Sequence, residues 1–335
     1  MVMGGVPRML KNLDPTTTQI YAPVRQELAQ VETRLRDLGQ GQEQHLDDLL
    51  SYLFERGGKG MRPALTLLAS KLFGKGSDAA VIMAVAVELL HIATLIHDDT
   101  VDNSDLRRGQ QTISSRWGRN VAVLLGDYVF ATSATFVCDT HNVRVIRRFS
   151  ETIMELSSGQ LMEFFNTRNP DVDRKTYEGR IFRKTASLFQ TAAETGAILG
   201  GAPENAVQAL KQYGYNVGMA FQIVDDILDV KSTAAEMGKP VGNDLLQGVL
   251  TLPTLMLLER YPDDNPIPKL FAAPDQRQHL DKALSMIQNS DIIDRCYADA
   301  EAYCRRATSD LSALPFSPSR DSLLTLAGYV TTRRK

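Results

Sequence analysis

The chain is poor in the residues that mark several whole classes of protein. It has three cysteines in 335 residues, Cys138, Cys296 and Cys304. An odd number without metal-ligand spacing argues against a disulfide framework or a structural zinc site, and suits a reducing cytoplasm. Charge of either sign is not in excess: 37 Lys and Arg face 40 Asp and Glu, a net −3. That balance gives no electrostatic handle for nucleic acid or for an anionic membrane surface. The opening stretch MVMGGVPRMLKNLD lacks the sustained apolar core of a signal peptide, and residues 1–14 are expected to form a flexible tail. No alternating strand pattern, fixed-period repeat or low-complexity segment occurs. With 43% hydrophobic residues, the length allows a large buried core. One all-helical domain over 1–335 is expected.

What the chain does have is concentrated in ELLHIATLIHDDTVDNSDLRRG, Glu88 to Gly109, an apolar run that ends in carboxylates and then two arginines. On a helix Asp98 and Asp102 stack one turn apart with Asp99 beside them. Like charges so placed repel by about 0.2–0.5 kcal/mol per pair, and a divalent cation reverses that sign. Hard carboxylate oxygens suit Mg²⁺, whose shell is usually completed by water and substrate phosphate. Arg107 and Arg108 supply phosphate partners. One such box also fits a solvated acidic helix end. The pattern recurs in FQIVDDILD, where Phe221, Gln222, Asp225, Asp226 and Asp229 again close an apolar helical run. If the two helices face each other across a bundle, the carboxylates form a cradle for metal ions around one diphosphate.

The remaining chain reads as helices and basic turns. A helix over 18–38 and another over 45–54 precede Arg56 to Pro63, a glycine-rich turn with proline opening the next helix. Lys59 and Arg62 at that helix N-terminus fit either a diphosphate seat or an ordinary turn. Ala79 to Ile96 comes nearest to a membrane span, but Glu88 and His91 inside it favour a buried core helix. His91 sits two turns before Asp98. Helices over 121–139 and 143–166 follow, the second with Gln160 and Glu163 on a polar seam and no evident chemistry. After Asn169-Pro170-Asp171, a helix carries Arg183, Lys184 and Thr185 toward the glycines at 196, 200 and 201. Lys184 and Thr185 fit phosphate binding or a surface position. Gly238 to Asp244, with Lys239, is a turn-rich loop that could fold over a ligand. Residues 261–274 read as a connection, and helices over 276–314 and 319–330 finish the chain.

From about Glu43 onward the chain resembles the trans-type polyprenyl diphosphate synthases, the family of farnesyl, geranylgeranyl and longer-chain synthases. GGKGMRP, ELLHIATLIHDDTVDNSDLRRG, KTASLF, FQIVDDILD and GKPVGNDL appear in the family's order. The resemblance implies a single large helical bundle of the isoprenoid synthase type, its helices surrounding a central elongation cavity. It implies a prenyltransferase that joins isopentenyl diphosphate head to tail to an allylic diphosphate, with Mg²⁺ as cofactor and three ions once substrate is bound. By the same resemblance Asp98, Asp99, Asp102, Asp225, Asp226 and Asp229 hold the metal. Arg107, Lys184 and Lys239 hold the allylic diphosphate, and Lys59, Arg62, His91 and Arg108 hold that of isopentenyl diphosphate. Thr185 and Gln222 line the reaction centre. A homodimer is also implied, and the apolar surface near Val121 to Val137 is one candidate interface. The chain departs from the family at Val249, commonly lysine, and at Lys231-Ser232, commonly threonine-glycine.

Product length should follow from what plugs the cavity below the first box. Ala93 and Thr94 point back along the helix toward it and are small, as in long-chain members of the octaprenyl and solanesyl kind that serve quinone side chains. A helix turn of about 5.4 Å is comparable with an isoprene unit, so Leu90, Val87, Phe130 or Phe136 are the next plugs and about six to ten isoprene units are expected. The alternatives are a shorter-chain farnesyl or geranylgeranyl synthase, a non-catalytic partner subunit, and a class I terpene cyclase. The cyclase would carry an asparagine-serine-glutamate type second motif, and a partner subunit would have decayed boxes.

Overall fold

The computed structural model describes residues 8–11, 13–41, 43–55, 58–74, 76–107, 109–231 and 241–332. Of the expected tail, residues 1–7 lie outside these. Arg8–Leu10 forms a short 3₁₀ turn, with Met9 buried and its N–H donating to Glu32 at 2.8 Å. Asp14 caps α1 (Pro15–Tyr21) by accepting from the Thr17 N–H and hydroxyl. The continuous helix expected over 18–38 is broken. Pro23, which has no N–H to donate, tightens Ala22–Val24 into a 3₁₀ turn before α2 (Arg25–Asp37). After α3 (Gln44–Glu55), Gly60 takes a left-handed φ of 61° and turns the chain into α4 (Met61–Lys71). Ser77 caps α5 (Asp78–Val101), accepting from the Ala80 N–H.

The one departure from all-helical structure among the described residues is a minimal antiparallel pair, β1 (Leu106–Arg107) with β2 (Gln110–Gln111). Helices α6 (Ile113–Trp117), α7 (Arg119–Cys138), α8 (Val143–Phe165) and α9 (Arg174–Ile181) follow. Phe182–Ala186 is a π-helical turn leading into α10 (Ser187–Leu199) and then α11 (Glu204–Lys231). The last elements are α12 (Asn243–Gln247), α13 (Leu252–Arg260), α14 (Pro266–Ala272), α15 (Arg277–Gln288), α16 (Ile292–Asp310) and α17 (Pro318–Thr332). Helix α14 corrects the connection expected over 261–274. Pro266 opens it at a position where a missing N–H loses no bond, and Asn265 caps it.

Two compact units are distinguished. One comprises Met1–Ser150, Leu188–Gln212 and Asp310–Leu326, the other Glu151–Ser187, Tyr213–Ser309 and Ala327–Lys335. In the first, α10 lies almost on the backbone of α4. A Cβ at Gly196 would fall 2.2 Å from the Thr66 carbonyl oxygen, and one at Gly200 2.2 Å from that of Ser70. Gly126 likewise lets α7 close on α5, where a Cβ would fall 2.3 Å from His97 Nε2. In the second unit Tyr177, Ile223, Ile227, Leu257 and Cys296 are each buried. Among the described residues two helices are long and apolar enough to cross a membrane. Asp78–Val101 has 67% of its apolar window buried, as expected of a core helix. Arg119–Cys138, not weighed from sequence, has 33% buried and leaves Val123 and Leu124 exposed.

Candidate active site

In the first unit the acidic box ends α5. The Asp102 N–H closes the last turn on the Asp98 carbonyl, and Asn103 in a left-handed conformation turns the chain away. The three carboxylates differ in their surroundings. Asp99 is buried and accepts at both oxygens from Arg107 Nε, 2.8 Å each, with Nη2 at 2.7 Å from Oδ1. That bidentate pair fastens the β1–β2 hairpin to the helix end and orients Arg107. Asp98 is half-buried and Asp102 exposed. A cavity of about 380 Å³ brings Gly58, Glu88, His91, Asp99 and Arg107 together over an apolar wall that includes Leu95. Ala93, Thr94 and Leu90 do not line it. Leu90 and Ala93 are buried, and the Thr94 hydroxyl donates to the His91 carbonyl at 2.8 Å. Lys59 is exposed, its carbonyl accepting from the Tyr21 hydroxyl at 2.8 Å. Arg62 lies in the first turn of α4, its guanidinium 4.6 Å from the Phe189 ring centroid. Arg108 lies outside the described residues.

In the second unit the second box is wired in a similar way. Asp226 is buried, accepting from the Tyr177 hydroxyl at 2.6 Å and from Gln222 Nε2 at 2.9 Å. The Thr185 hydroxyl donates to Gln222 Oε1 at 2.6 Å. The π-turn that carries Lys184 and Thr185 is a distortion found most often at functional sites. Lys184 Nζ donates to Glu163 at 2.5 Å. Asp229 accepts from the N–H groups of Asn243 and Asp244 at the start of α12, at 3.2 and 3.3 Å. Asp225 is half-buried, and Lys239 lies outside the described residues. Tyr177, Arg180 and Glu163 were not singled out from sequence for chemistry. Arg180 and Lys184, four apart on one helical face, were the available signal.

Burial pushes the Asp226 carboxyl up to about 7, against the pull of the Tyr177 and Gln222 hydrogen bonds. Asp229 is pushed up too, by burial and then by the Asp244 carboxylate. A raised carboxyl favours folding below its ordinary value, and that contribution is lost as pH rises through the folded value. Between pH 5 and 8 in chelator the melting temperature should therefore fall, through a loss on the order of 3 kcal/mol from Asp226. Asp226→Asn should flatten the slope. Equal slopes in the two proteins would remove this account.

Among the described residues no three His, Cys, Asp or Glu side chains gather closely enough to hold a metal alone. Mg²⁺ takes one or two carboxylates and completes its shell with water and phosphate. The carboxylates of each box are hard oxygen donors of that chemistry.

A family model described as polyprenyl synthetase matches residues 43–287. The chain belongs to the polyprenyl synthetase family. Every residue singled out from Lys59 to Lys239 lies in the matched region of this family member. It is 37% identical over 316 residues to heptaprenyl diphosphate synthase component 2 of Geobacillus stearothermophilus, covering 94% of this chain and 98% of that one. The crystal structure of heptaprenyl diphosphate synthase from Staphylococcus aureus matches with a TM-score of 0.88 at 37% identity, over 92% of this chain and 98% of that one. Polyprenyl synthase from Caulobacter crescentus CB15, solved with calcium and isoprenyl diphosphate, matches with a TM-score of 0.90 at 30% identity, over 95% and 98%. The helical fold expected from sequence is the fold of these synthases.

Proposed function

We propose that the protein is a Mg²⁺-dependent long-chain polyprenyl diphosphate synthase, joining isopentenyl diphosphate head to tail to an allylic diphosphate. The observation that carries this reading is the split within both acidic boxes. In each, the second aspartate is buried and held by protein donors, which fixes the box in place, and the carboxylates of both boxes are hard oxygen donors of the kind that suits Mg²⁺. Mg²⁺ held by Asp98, Asp102 and Asp225, three ions with substrate bound, would neutralise charge on the departing diphosphate. The family neighbour solved with calcium and isoprenyl diphosphate supports a divalent ion in that role.

The chain's own residues bind and orient. Arg107, Lys184 and Lys239 hold the allylic diphosphate, and Lys59, Arg62, His91 and Arg108 hold that of isopentenyl diphosphate. A guanidinium has five N–H donors, so Arg107 keeps donors for phosphate while Asp99 fixes its orientation. Cleavage of the allylic C–O bond sends the electron pair to the diphosphate and leaves a carbocation. Thr185 and Gln222, already bonded to each other, present fixed dipoles that need no reorganisation as that charge develops. The isopentenyl alkene attacks the cation, and a proton then passes to the released diphosphate.

We also read the chain as one synthase domain, because each unit is assembled from three separate stretches and neither can be excised as continuous sequence. A cytoplasmic location is consistent with three unpaired cysteines. A homodimer finds support in apolar residues left exposed, Val123 and Leu124 on α7 and Met154, Leu161, Phe164 and Phe165 on α8. A second reading, that the chain works with a different subunit, is favoured by the name of the Geobacillus relative, component 2.

Purified protein incubated with isopentenyl diphosphate, Mg²⁺ and farnesyl or geranylgeranyl diphosphate should yield a product ladder of about six to ten isoprene units. No incorporation by the chain alone, restored by a second subunit, would favour the two-component reading. Ala93→Phe should shorten the ladder, because the ring occupies space about one turn below the first box. An unchanged product distribution would sink the chain-length assignment.

A further inference from the structure

We propose that Glu163 is a positioning residue of the reaction, holding the Lys184 ammonium so that the π-turn presents it to the allylic diphosphate. The inference rests on the reading of Lys184 given above. Glu163 lies on the inner seam of α8, its side chain 17% exposed, with one oxygen 2.5 Å from Lys184 Nζ and the other 3.8 Å from Arg180 Nε. Arg180 is itself fixed. Its Nη2 donates to the Leu250 carbonyl at 2.5 Å, and its guanidinium lies 5.6 Å from the Tyr177 ring centroid.

One turn earlier on the same face of α8, Gly159 seats the turn that carries the lysine. A Cβ there would fall 2.7 Å from Arg183 Cβ and 3.0 Å from both Lys184 N and Cγ. Helix α8 thus fixes the backbone of the π-turn at Gly159 and the tip of the lysine at Glu163. Between those points the four-carbon stem loses its freedom before any ligand arrives, which lowers the entropy lost on binding. An ammonium has three N–H donors, one of which Glu163 engages. One carboxylate between two cations also leaves a net positive charge to attract an anion. The chain runs on from Arg180 through Tyr177 to Asp226 and Gln222, so the lysine is registered to the second box.

Steady-state kinetics on the purified full chain with Mg²⁺ test this. Glu163→Ala should raise KM for the allylic diphosphate by about tenfold or more and leave KM for isopentenyl diphosphate unchanged. Glu163→Gln, whose amide oxygen still accepts from Nζ, should recover to within about threefold. The double variant Glu163→Ala with Lys184→Ala should be no worse than Lys184→Ala alone, because the two act as one unit. Should Glu163→Ala melt below the assay temperature, Glu163→Asp, one methylene shorter, carries the same expectation of a selectively raised allylic KM. Equal rises in both KM values, a wild-type Glu163→Ala, or losses that multiply in the double variant would overturn the role alone. Failure of the unmodified protein to transfer isopentenyl units would overturn the proposed function itself.

Discussion

Asparagine in place of Asp98 or Asp225 should lower kcat/KM for prenyl transfer by about a thousandfold or more while the protein remains folded. A bound divalent ion is worth several kcal/mol of transition-state charge stabilisation, and each 1.36 kcal/mol is a factor of about ten in rate. An amide keeps the shape of the carboxylate but gives the ion a neutral oxygen. Both side chains are half-buried, whereas Asp99 and Asp226 are buried, so melting temperature should change less than on substitution at those two positions. Asp99→Asn should behave differently. It removes the charge that orients Arg107, and should lower melting temperature along with activity. Rates within tenfold of wild type for Asp98→Asn and Asp225→Asn, measured across a Mg²⁺ series, would remove the metal assignment from these residues.

The largest effect on stability should come from Gly196 and Gly200. A methyl group at either position would sit 2.2 Å from a backbone carbonyl oxygen of α4. Neither partner is a flexible side chain, so one helix must move. Overpacking typically costs about 1–3 kcal/mol, and the upper end applies where backbone meets backbone. Gly196→Ala should lower the melting temperature by about 4 °C, and the double substitution with Gly200→Ala by more. An unchanged melting temperature would mean that α4 and α10 lie further apart than described.

Long apolar helices were legible from sequence because their period is set by local geometry, and the buried apolar helix over Ala79 to Ile96 that leads into the first box was expected. The break at Pro23 had a local signal in the proline itself. Other features had none. The π-turn over Phe182–Ala186 inserts one residue into a helix without altering its composition. Within each box the aspartates look alike as letters, and only burial separates Asp99 from Asp98 and Asp226 from Asp225. Tyr177 joins Asp226 across 49 residues, and Glu163 joins Lys184 across 21. No short-range pattern links such partners. The second box was therefore readable as an acidic cluster, whereas the donors that hold it were not.

The interleaved units also constrain how the chain is made. One unit gains its last stretch with Asp310–Leu326, and the other only with Ala327–Lys335. On the ribosome neither is complete before the chain has been made past Asp310. The groove on α4 that receives Gly196 is translated about 130 residues ahead of it, a wait on the order of ten seconds at ~5–20 residues per second. During that interval the apolar face of α4 has no α10 to cover it, and a nascent-chain chaperone would find it there. A chain cut anywhere before Asp310 would leave each unit short of a stretch that belongs to it.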